Sequence, residues 1–255
     1  MSGSIDPPAD RVVLITGASA NLGAAVARAC VDRGFRVAVH YRSDQAGASR
    51  VVDDVRRRGS AAVALQADLT IPGAADALVQ GVVDEFGRID ALVNNHADQA
   101  MGPALGSSAD VWRSIFEVNV VATVGLIRAV ISRSGGELSV VNVSSVESMS
   151  AFPNHAAYAA SKSALESVTR SLALELAAAG GRANAVAPGL IQREGLADAW
   201  PEGFSWWCRT SPSGRPVRAE EVAAVVAFLA SPESCGVSGS VIPVDGGWSS
   251  SARLH

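Results

Sequence analysis

The chain has 255 residues, a formal net charge of −4 and a hydrophobic fraction of 48%. This length is sufficient for one large α/β domain, and the acidic balance predicts no nucleic-acid partner. No apolar run approaches the roughly 20 residues that span a bilayer, so we predict no membrane insertion. The first residues do not resemble a secretory signal, and the scattered cysteines and histidines predict neither disulfides nor a metal site. We therefore expect a cytoplasmic protein.

Short apolar runs alternate with helical patterns along the chain. Strands are predicted at 11–17, 35–42, 60–69, 89–95, 137–145, 182–189 and 239–247. Helices are predicted at 21–34, 45–59, 73–87, 109–136, 156–181 and 218–231, and a loop rich in Trp, Pro and Gly from about Gln192 to Pro216. The apolar runs lack strict alternation with polar residues, which is typical of a parallel sheet covered on both faces. We predict a Rossmann-like, doubly wound α/β fold of about seven parallel strands with helices on both faces.

A glycine-containing turn, "TGASANLG", joins the first predicted strand to the first helix. Glycines here allow a tight turn and a close approach to a pyrophosphate at the helix N-terminus. The alternative is that Gly17 and Gly23 only terminate secondary structure. The second strand ends in "VHYRS", where Arg42 and Ser43 favour the 2′-phosphate of NADP(H), although Asp44 leaves NAD open.

Lys162 is the only lysine in the chain, because the other 20 of its 21 basic residues are arginines. It follows Tyr158 by four residues on a predicted helix, so the two side chains share one face. A nearby cation is expected to lower the pKa of a tyrosine, which is otherwise near 10. We predict an acid–base pair, with Ser145 hydrogen-bonding the substrate carbonyl. The alternative is an ordinary exposed helix pair.

Nine segments together resemble the short-chain dehydrogenase/reductase family. They are "TGASANLG", "ADL", "VNNHA", "FEVNV", "NVSS", "YAASK", "VAPGLI", "GRPVRAEEVAAVVAFLAS" and "VDGG". The resemblance implies a catalytic tetrad of Asn119, Ser145, Tyr158 and Lys162. In such a tetrad Asn119 anchors a water chain that resupplies the proton, and Lys162 also holds the nicotinamide ribose.

The resemblance further implies one domain over 1–255. Its nucleotide-binding half covers about 10–145, the catalytic helix and substrate lid about 146–216, and the C-terminal helix and strand 217–248. Asp68 is expected to contact the adenine, and Asn94 to lie beside the ribose. The predicted cofactor residues are Gly17, Ser19, Asn21, Leu22, Gly23, Arg42, Ser43, Asp68, Leu69, Asn94, Asn95, His96, Tyr158, Lys162, Pro188, Gly189 and Ile191.

Three positions depart from the usual family pattern. Asn21 stands where the family usually has glycine, as also occurs in the pteridine-reductase branch. His96 changes the usual "NNAG" to "NNHA", and either tunes specificity near the cofactor or is a packed or solvated histidine. Arg193 replaces a common threonine, and either reaches the pyrophosphate or faces solvent.

The expected substrate lid, residues 192–214, holds three of the five tryptophans. Large flat side chains stack on planar partners, so they favour a bulky planar substrate. The alternative is that they anchor the lid to the body or to a neighbouring subunit. The predicted substrate residues are Ser145, Met149, Phe152, His155, Leu190, Trp200, Phe204, Trp206 and Trp207.

The resulting functional hypothesis is NADPH-dependent reduction of a ketone on a polycyclic aromatic polyketide. The lid and "NNHADQ" look similar to tailoring ketoreductases of angucycline-type pathways. Alternatives are a 3-ketoacyl-carrier-protein reductase, a pteridine-reductase-like enzyme and a non-catalytic dinucleotide sensor. The family also implies a homotetramer or homodimer that pairs the two long helices.

Overall fold

The computed structural model describes residues 11–134 and 137–251. Within them, seven parallel strands form one sheet. The strands are β1 (Arg11–Ile15), β2 (Phe35–Tyr41), β3 (Ala62–Gln66), β4 (Ala91–Asn94), β5 (Ser139–Val143), β6 (Arg182–Pro188) and β7 (Val241–Val244). Their order across the sheet is β3-β2-β1-β4-β5-β6-β7. The predicted parallel sheet is confirmed.

Helices connect the strands and cover both faces of the sheet. They are α1 (Asn21–Val31), α2 (Gln45–Arg57), α3 (Ala74–Phe86), α4 (Ala109–Phe116), α5 (Ala122–Ser134), α6 (Ala156–Ala177), α7 (Leu196–Ala199), α8 (Pro201–Thr210) and α9 (Ala219–Ala230). A π-helical turn, Glu117–Val121, joins α4 to α5, and a 3₁₀ turn, Val146–Ser148, follows β5.

The core is divided by the sheet into two apolar layers. Alternate residues of β1 enter opposite layers, since Val13 and Ile15 pack in one cluster and Val12 and Leu14 in the other. Helices α1 and α9 pack together, as do α3 and α5. Both faces of the strands are therefore buried, which explains their continuous apolar runs.

The strand order reverses between β1 and β4, because the chain winds outward in opposite directions from these two neighbours. The loops after both strands leave the same, carboxyl, edge of the sheet. In doubly wound folds this switch point opens a crevice in which ligands bind. The fold thus places the "TGASANLG" turn and the segment after Asn94 on either side of one crevice.

The lid differs from the sequence-based expectation, which was a loop from about Gln192 to Pro216. The structure forms α7 and α8 there. Pro201 stands at the first turn of α8, where its missing N–H has no intrahelical acceptor in any case. Burial of Trp207 on the inner side of α8 stabilises the helix, and this tertiary contact was not readable from local composition.

The continuous helix Ala109–Ser134 is long and apolar enough to cross a membrane by length and composition. Its side chains Leu126, Ile127 and Val130 belong to the core, and its π turn buries Asn119. We attribute the apolar character of this helix to packing inside the fold.

Candidate active site

One cavity of about 1220 Å³ extends along the carboxyl edge of the sheet, from the loop after β1 to the lid. It brings together most of the predicted site residues. Those lining it are Gly17, Ser19, Asn21, Leu22, Gly23, Arg42, Ser43, Asp68, Leu69, Asn95, His96, Ser145, Phe152, His155, Tyr158, Lys162, Pro188, Gly189, Leu190, Ile191, Arg193, Trp200 and Trp207.

Five predicted residues lie outside this cavity lining: Asn94, Asn119, Met149, Phe204 and Trp206. Asn94 is buried, and its Nδ2 donates to Asn142 Oδ1 at 2.8 Å, so its side chain lies beneath α6 instead of in the cavity wall. Met149 is half exposed beyond the 3₁₀ turn. Phe204 and Trp206 are half-buried on α8, and Trp206 packs against other aromatic rings.

The loop between β1 and α1 has the form that a pyrophosphate requires. Gly17 has a φ of 58°, and a side chain at Gly23 would meet Ala18 Cα at 2.7 Å. No side chain caps the N-terminus of α1, so its first N–H groups are available to an anion. Asn21 has a φ of 47°, a left-handed conformation that asparagine tolerates better than most residues. This explains why glycine is common at that position.

His40, which the sequence analysis did not select, braces this loop from β2. Gly17 N lies 3.3 Å from His40 Nδ1, and His40 Nε2 lies 3.0 Å from Ala67 O. A carbonyl only accepts, so Nε2 carries the hydrogen and Nδ1 accepts from Gly17. Burial lowers the pKa of His40, which favours this neutral form.

His96 braces the same loop from the other side. Its Nδ1 lies 2.7 Å from Thr16 Oγ1, and its Nε2 lies 3.2 Å from Val118 O in the π turn. Burial, with the nearby charge of Lys162, lowers the pKa of His96 to about 3. The ring is therefore neutral, donating through Nε2 and accepting through Nδ1. Of the two interpretations, the packed histidine agrees with these contacts.

The end of the cavity beside β2 carries the residues predicted to distinguish NADP from NAD. Arg42 and Ser43 are exposed and line the cavity. Asp44 accepts a hydrogen bond from Gly47 N at 2.8 Å and thereby caps α2. Asp68 accepts from Thr70 N and Oγ1, which lowers the pKa of its carboxyl.

The reaction centre is formed where β5 and α6 approach each other. Gln99 Nε2 donates to the phenol oxygen of Tyr158 at 3.3 Å, and Ser145 lies near enough to this side chain to affect its pKa. Lys162 Nζ donates to Val143 O at 2.8 Å and lies 5.6 Å from the centre of the Tyr158 ring. The four-residue spacing on α6 thus places Tyr158 and Lys162 together, and both are buried.

The expected lowering of the Tyr158 pKa is wrong for this structure. Burial, together with the nearby Glu147 carboxylate, raises the pKa of Tyr158 to about 12, although hydrogen bonds from Ser145 and Gln99 lower it. Lys162 is itself desolvated, which lowers its pKa to about 8, and its ammonium is directed to a carbonyl. The phenol consequently stays protonated at neutral pH, as a proton donor must be.

Asn119 supports the site from behind the cavity. Its Nδ2 donates to Asp98 O and to Ser161 Oγ, both at 2.9 Å, and its Oδ1 accepts from Asp98 N at 2.7 Å. These bonds position the loop that carries Gln99. The water chain expected at Asn119 stays a prediction.

Glu166 on α6 holds the segment around Ser145, although the sequence analysis did not select it. Its Oε1 accepts from Ser144 Oγ at 2.6 Å and also from Ser148 Oγ. A buried carboxylate with two hydroxyl donors fixes the turn on both sides of Ser145. Glu166 follows Tyr158 by eight residues and therefore lies near the same face of α6. This spacing was the signal in the sequence that could have identified it.

Aromatic rings join the lid to the segment after β7. Trp207 stacks on Trp248 with centroids 5.1 Å apart and planes at 14°. Phe152 and Trp206 contact the edge of the same cluster, at 5.4 Å and 6.2 Å from Trp248. Trp206 therefore anchors the lid, Trp200 lines the cavity, and Trp207 does both.

Sequence comparison agrees with the geometry of the site. The family model described as enoyl-(acyl carrier protein) reductase matches residues 17–249. The chain belongs to the short-chain dehydrogenase/reductase family. It is accordingly an oxidoreductase of a family that uses nicotinamide cofactors.

Similar proteins match over nearly the whole chain. The 3beta-hydroxysteroid dehydrogenase 1 of Eggerthella lenta is 37% identical over 244 residues, which cover 93% of each chain. The acetoin dehydrogenase of Enterobacter cloacae superimposes with a TM-score of 0.87 at 31% identity, covering 96% of this chain and 98% of that one. The angucycline C-6 ketoreductase LanV with bound NADP gives 0.89 at 29% identity, covering 94% and 96%.

Proposed function

We propose that this reductase uses NADPH to convert a ketone on a bulky, polycyclic aromatic polyketide into a secondary alcohol. The observation that carries the proposal is the position of Ser145, Tyr158 and Lys162 in the wall of a cavity that Phe152 and Trp207 also line. Steroids and angucyclines, named for two of the similar proteins, are polycyclic ketones or alcohols. Acetoin, named for a third similar protein, is a small molecule, so the similar proteins alone do not indicate the size of the substrate. The aromatic lid is the feature that supports a large one.

Each catalytic side chain has a separate task in this proposal. Ser145 hydrogen-bonds the substrate carbonyl and stabilises the negative charge that develops on its oxygen. Tyr158, protonated at neutral pH, donates its proton to that oxygen. The bound nicotinamide supplies the hydride. Lys162 would hold the ribose of the cofactor, and its flexible stem permits this while Nζ stays near Tyr158.

The choice of NADPH rests on the end of β2. Arg42 offers a fixed positive charge at the cavity, whereas the Asp44 carboxylate is engaged as a helix cap. A free carboxylate at this position would favour a ribose hydroxyl, and a guanidinium favours a 2′-phosphate.

We further propose a cytoplasmic homotetramer or homodimer. Val121, Val124 and Ile131 on the helix Ala109–Ser134, and Leu174 on α6, are exposed apolar side chains. Covering such a surface is favourable, so pairing of these two helices between subunits is the expected assembly. The three cysteines are free thiols, as in a reducing compartment.

The proposal is tested by NADPH oxidation with a panel of ketones from acetoin to 1-tetralone and anthracenone derivatives. Tyr158→Phe is expected to abolish turnover and to leave the Kd for NADPH within about threefold, because the proton donor is lost while the cofactor contacts remain. Normal turnover in Tyr158→Phe would contradict the mechanism. Tight NADPH binding without turnover of any ketone by the parent would instead favour a dinucleotide sensor.

A further inference from the structure

Glu147 and His155 form a hydrogen-bonded pair in the cavity wall beside the catalytic tyrosine. His155 Nδ1 lies 2.8 Å from Glu147 Oε2, and the two side chains are 27% and 17% exposed. Both residues line the cavity with Ser145 and Tyr158. The rings of His155 and Tyr158 meet edge to face, with centroids 6.3 Å apart. The pair is therefore close to the group that donates the proton.

Half of the polar atoms in this pair are used within the protein. A carboxylate oxygen accepts, so Nδ1 carries the hydrogen of the bond and Nε2 is the remaining polar atom of the ring. Among residues 11–134 and 137–251, neither His155 Nε2 nor Glu147 Oε1 has a hydrogen-bond partner. Burial raises the pKa of Glu147, which reports partial desolvation of the carboxyl. Such a polar pair is stabilised by a ligand that supplies matching groups.

The backbone before His155 is held in an unusual conformation. Asn154 has a φ of 62°, in the left-handed region that few non-glycine residues adopt. Gly102 N donates to Asn154 O at 2.7 Å, and Gly102 pairs with His155 in a parallel bridge. Two loops from distant parts of the chain thus determine the position of the imidazole. Conformations of this kind are concentrated at binding sites.

The surroundings of the pair limit what it can recognise. Phe152, Leu190 and Trp207 give the cavity apolar walls, which accept a ring system in many orientations. A polar pair in such a cavity penalises an apolar edge placed against it and favours a hydrogen-bonding group there.

We propose that Glu147 and His155 form a recognition subsite for a hydroxyl group that the substrate carries in addition to its ketone. This inference rests on the ketone reduction proposed above and narrows its substrates to hydroxylated, including phenolic, ketones. A hydroxyl both donates and accepts, so it matches Nε2 whether the imidazole is neutral or charged. Binding of the hydroxyl at His155 orients the ring system so that the ketone meets Tyr158.

The test compares 1-tetralone with its monohydroxy derivatives that carry the hydroxyl on the aromatic ring. Dissociation constants are measured by calorimetry on the enzyme saturated with NADP⁺, and kcat/KM by NADPH oxidation. In the parent, at least one hydroxy isomer is expected to have a Kd about tenfold lower and a kcat/KM about tenfold higher than 1-tetralone, as one hydrogen bond to such a pair allows. This ratio is expected to fall to about one in His155→Phe and to decrease in Glu147→Gln.

Glu85→Gln is the matched control for Glu147→Gln, since Glu85 is exposed on α3 and lies outside the cavity. It should retain the parent ratio. Parent enzyme without preference for any hydroxy isomer, or His155→Phe with the parent preference, would overturn the subsite. If His155→Phe does not fold, His155→Gln and Glu147→Gln decide the question. Hydroxyl-dependent binding without turnover of any ketone would retain the subsite and refute the reductase function instead.

Discussion

Lys162→Met is expected to inactivate the enzyme and to stabilise its fold. Lys162 is 2% exposed, and its ammonium donates a hydrogen bond to Val143 O. Burial lowers its pKa from 10.5 to about 8, so the folded state holds the charge less favourably than the unfolded chain. Methionine keeps much of the apolar stem and removes the charge. The charge of Lys162 is therefore required for activity and at the same time reduces the stability of the fold.

The expected change in the free energy of unfolding follows from the pKa of Lys162. A fall from 10.5 to about 8, at about 1.4 kcal/mol for each pH unit, makes the buried charge unfavourable by about 3 to 4 kcal/mol. The loss of the donor to Val143 O offsets about 1 kcal/mol of this. The net gain for the cofactor-free protein is about 2 to 3 kcal/mol, and a rise in Tm of about 5 °C for a chain of this size.

The pH dependence of this gain in stability tests whether the buried charge of Lys162 is its cause. Below the folded pKa of about 8 both states carry the proton and the full penalty applies. Between about 8 and 10.5 the folded lysine is neutral while the unfolded one is charged, so the penalty declines with rising pH and vanishes above 10.5. The stability difference between variant and parent should decrease over the same interval.

The assay is urea unfolding of the cofactor-free proteins at pH 7 and at pH 9 to 10, at equal protein concentration. Arg170→Met, on the exposed face of the same helix, serves as control and should change stability by less than about 0.5 kcal/mol. A Lys162→Met protein that is no more stable than the parent at pH 7, or a gain independent of pH, would refute the reasoning.

Three further predictions concern other parts of the site. Lys162→Arg should be nearly inactive despite its charge, because a planar guanidinium does not fit the buried position of Nζ; full activity would contradict this. Arg42→Ala should raise the Kd for NADPH at least about tenfold more than that for NADH in titrations, and equal losses would reject the NADP assignment. Gly189→Ala should lose about 1–3 kcal/mol in thermal unfolding, because the new methyl would lie 2.6 Å from Trp207 Cζ2. Gly236→Ala, with open space around it, is the control for the last variant, and equal Tm values for the two would contradict the prediction.

The parallel sheet and the grouping of Tyr158 with Lys162 were predictable because both depend on short intervals. Continuous apolar runs indicate strands that are buried on both faces. A four-residue spacing on a helix brings two side chains together, and this does not depend on the rest of the fold. The "TGASANLG" turn was similarly readable, since its conformation is set by Gly17 and its neighbours. These features needed no knowledge of which distant segments meet.

Other features depend on contacts between distant segments. His40 looked like an ordinary strand residue, and its role exists only because β1 and β2 pair so that Gly17 N reaches its ring. The raised pKa of Tyr158 likewise depends on burial and on Glu147, neither of which follows from the spacing to Lys162. The helices of the lid required Trp248, far along the chain, as a packing partner.

The stacked indoles of Trp207 and Trp248 also provide a spectroscopic probe of the lid. Two indoles with ring centres 5.1 Å apart couple their electronic transitions, so their contribution to the ultraviolet circular dichroism depends on the distance between them. One indole belongs to α8 and the other to the turn after β7, so this pair contributes to the spectrum only while α8 lies against that turn. A displacement of α8 from this turn would therefore change the circular dichroism of the unlabelled protein, and stopped-flow spectroscopy would test whether it occurs during turnover.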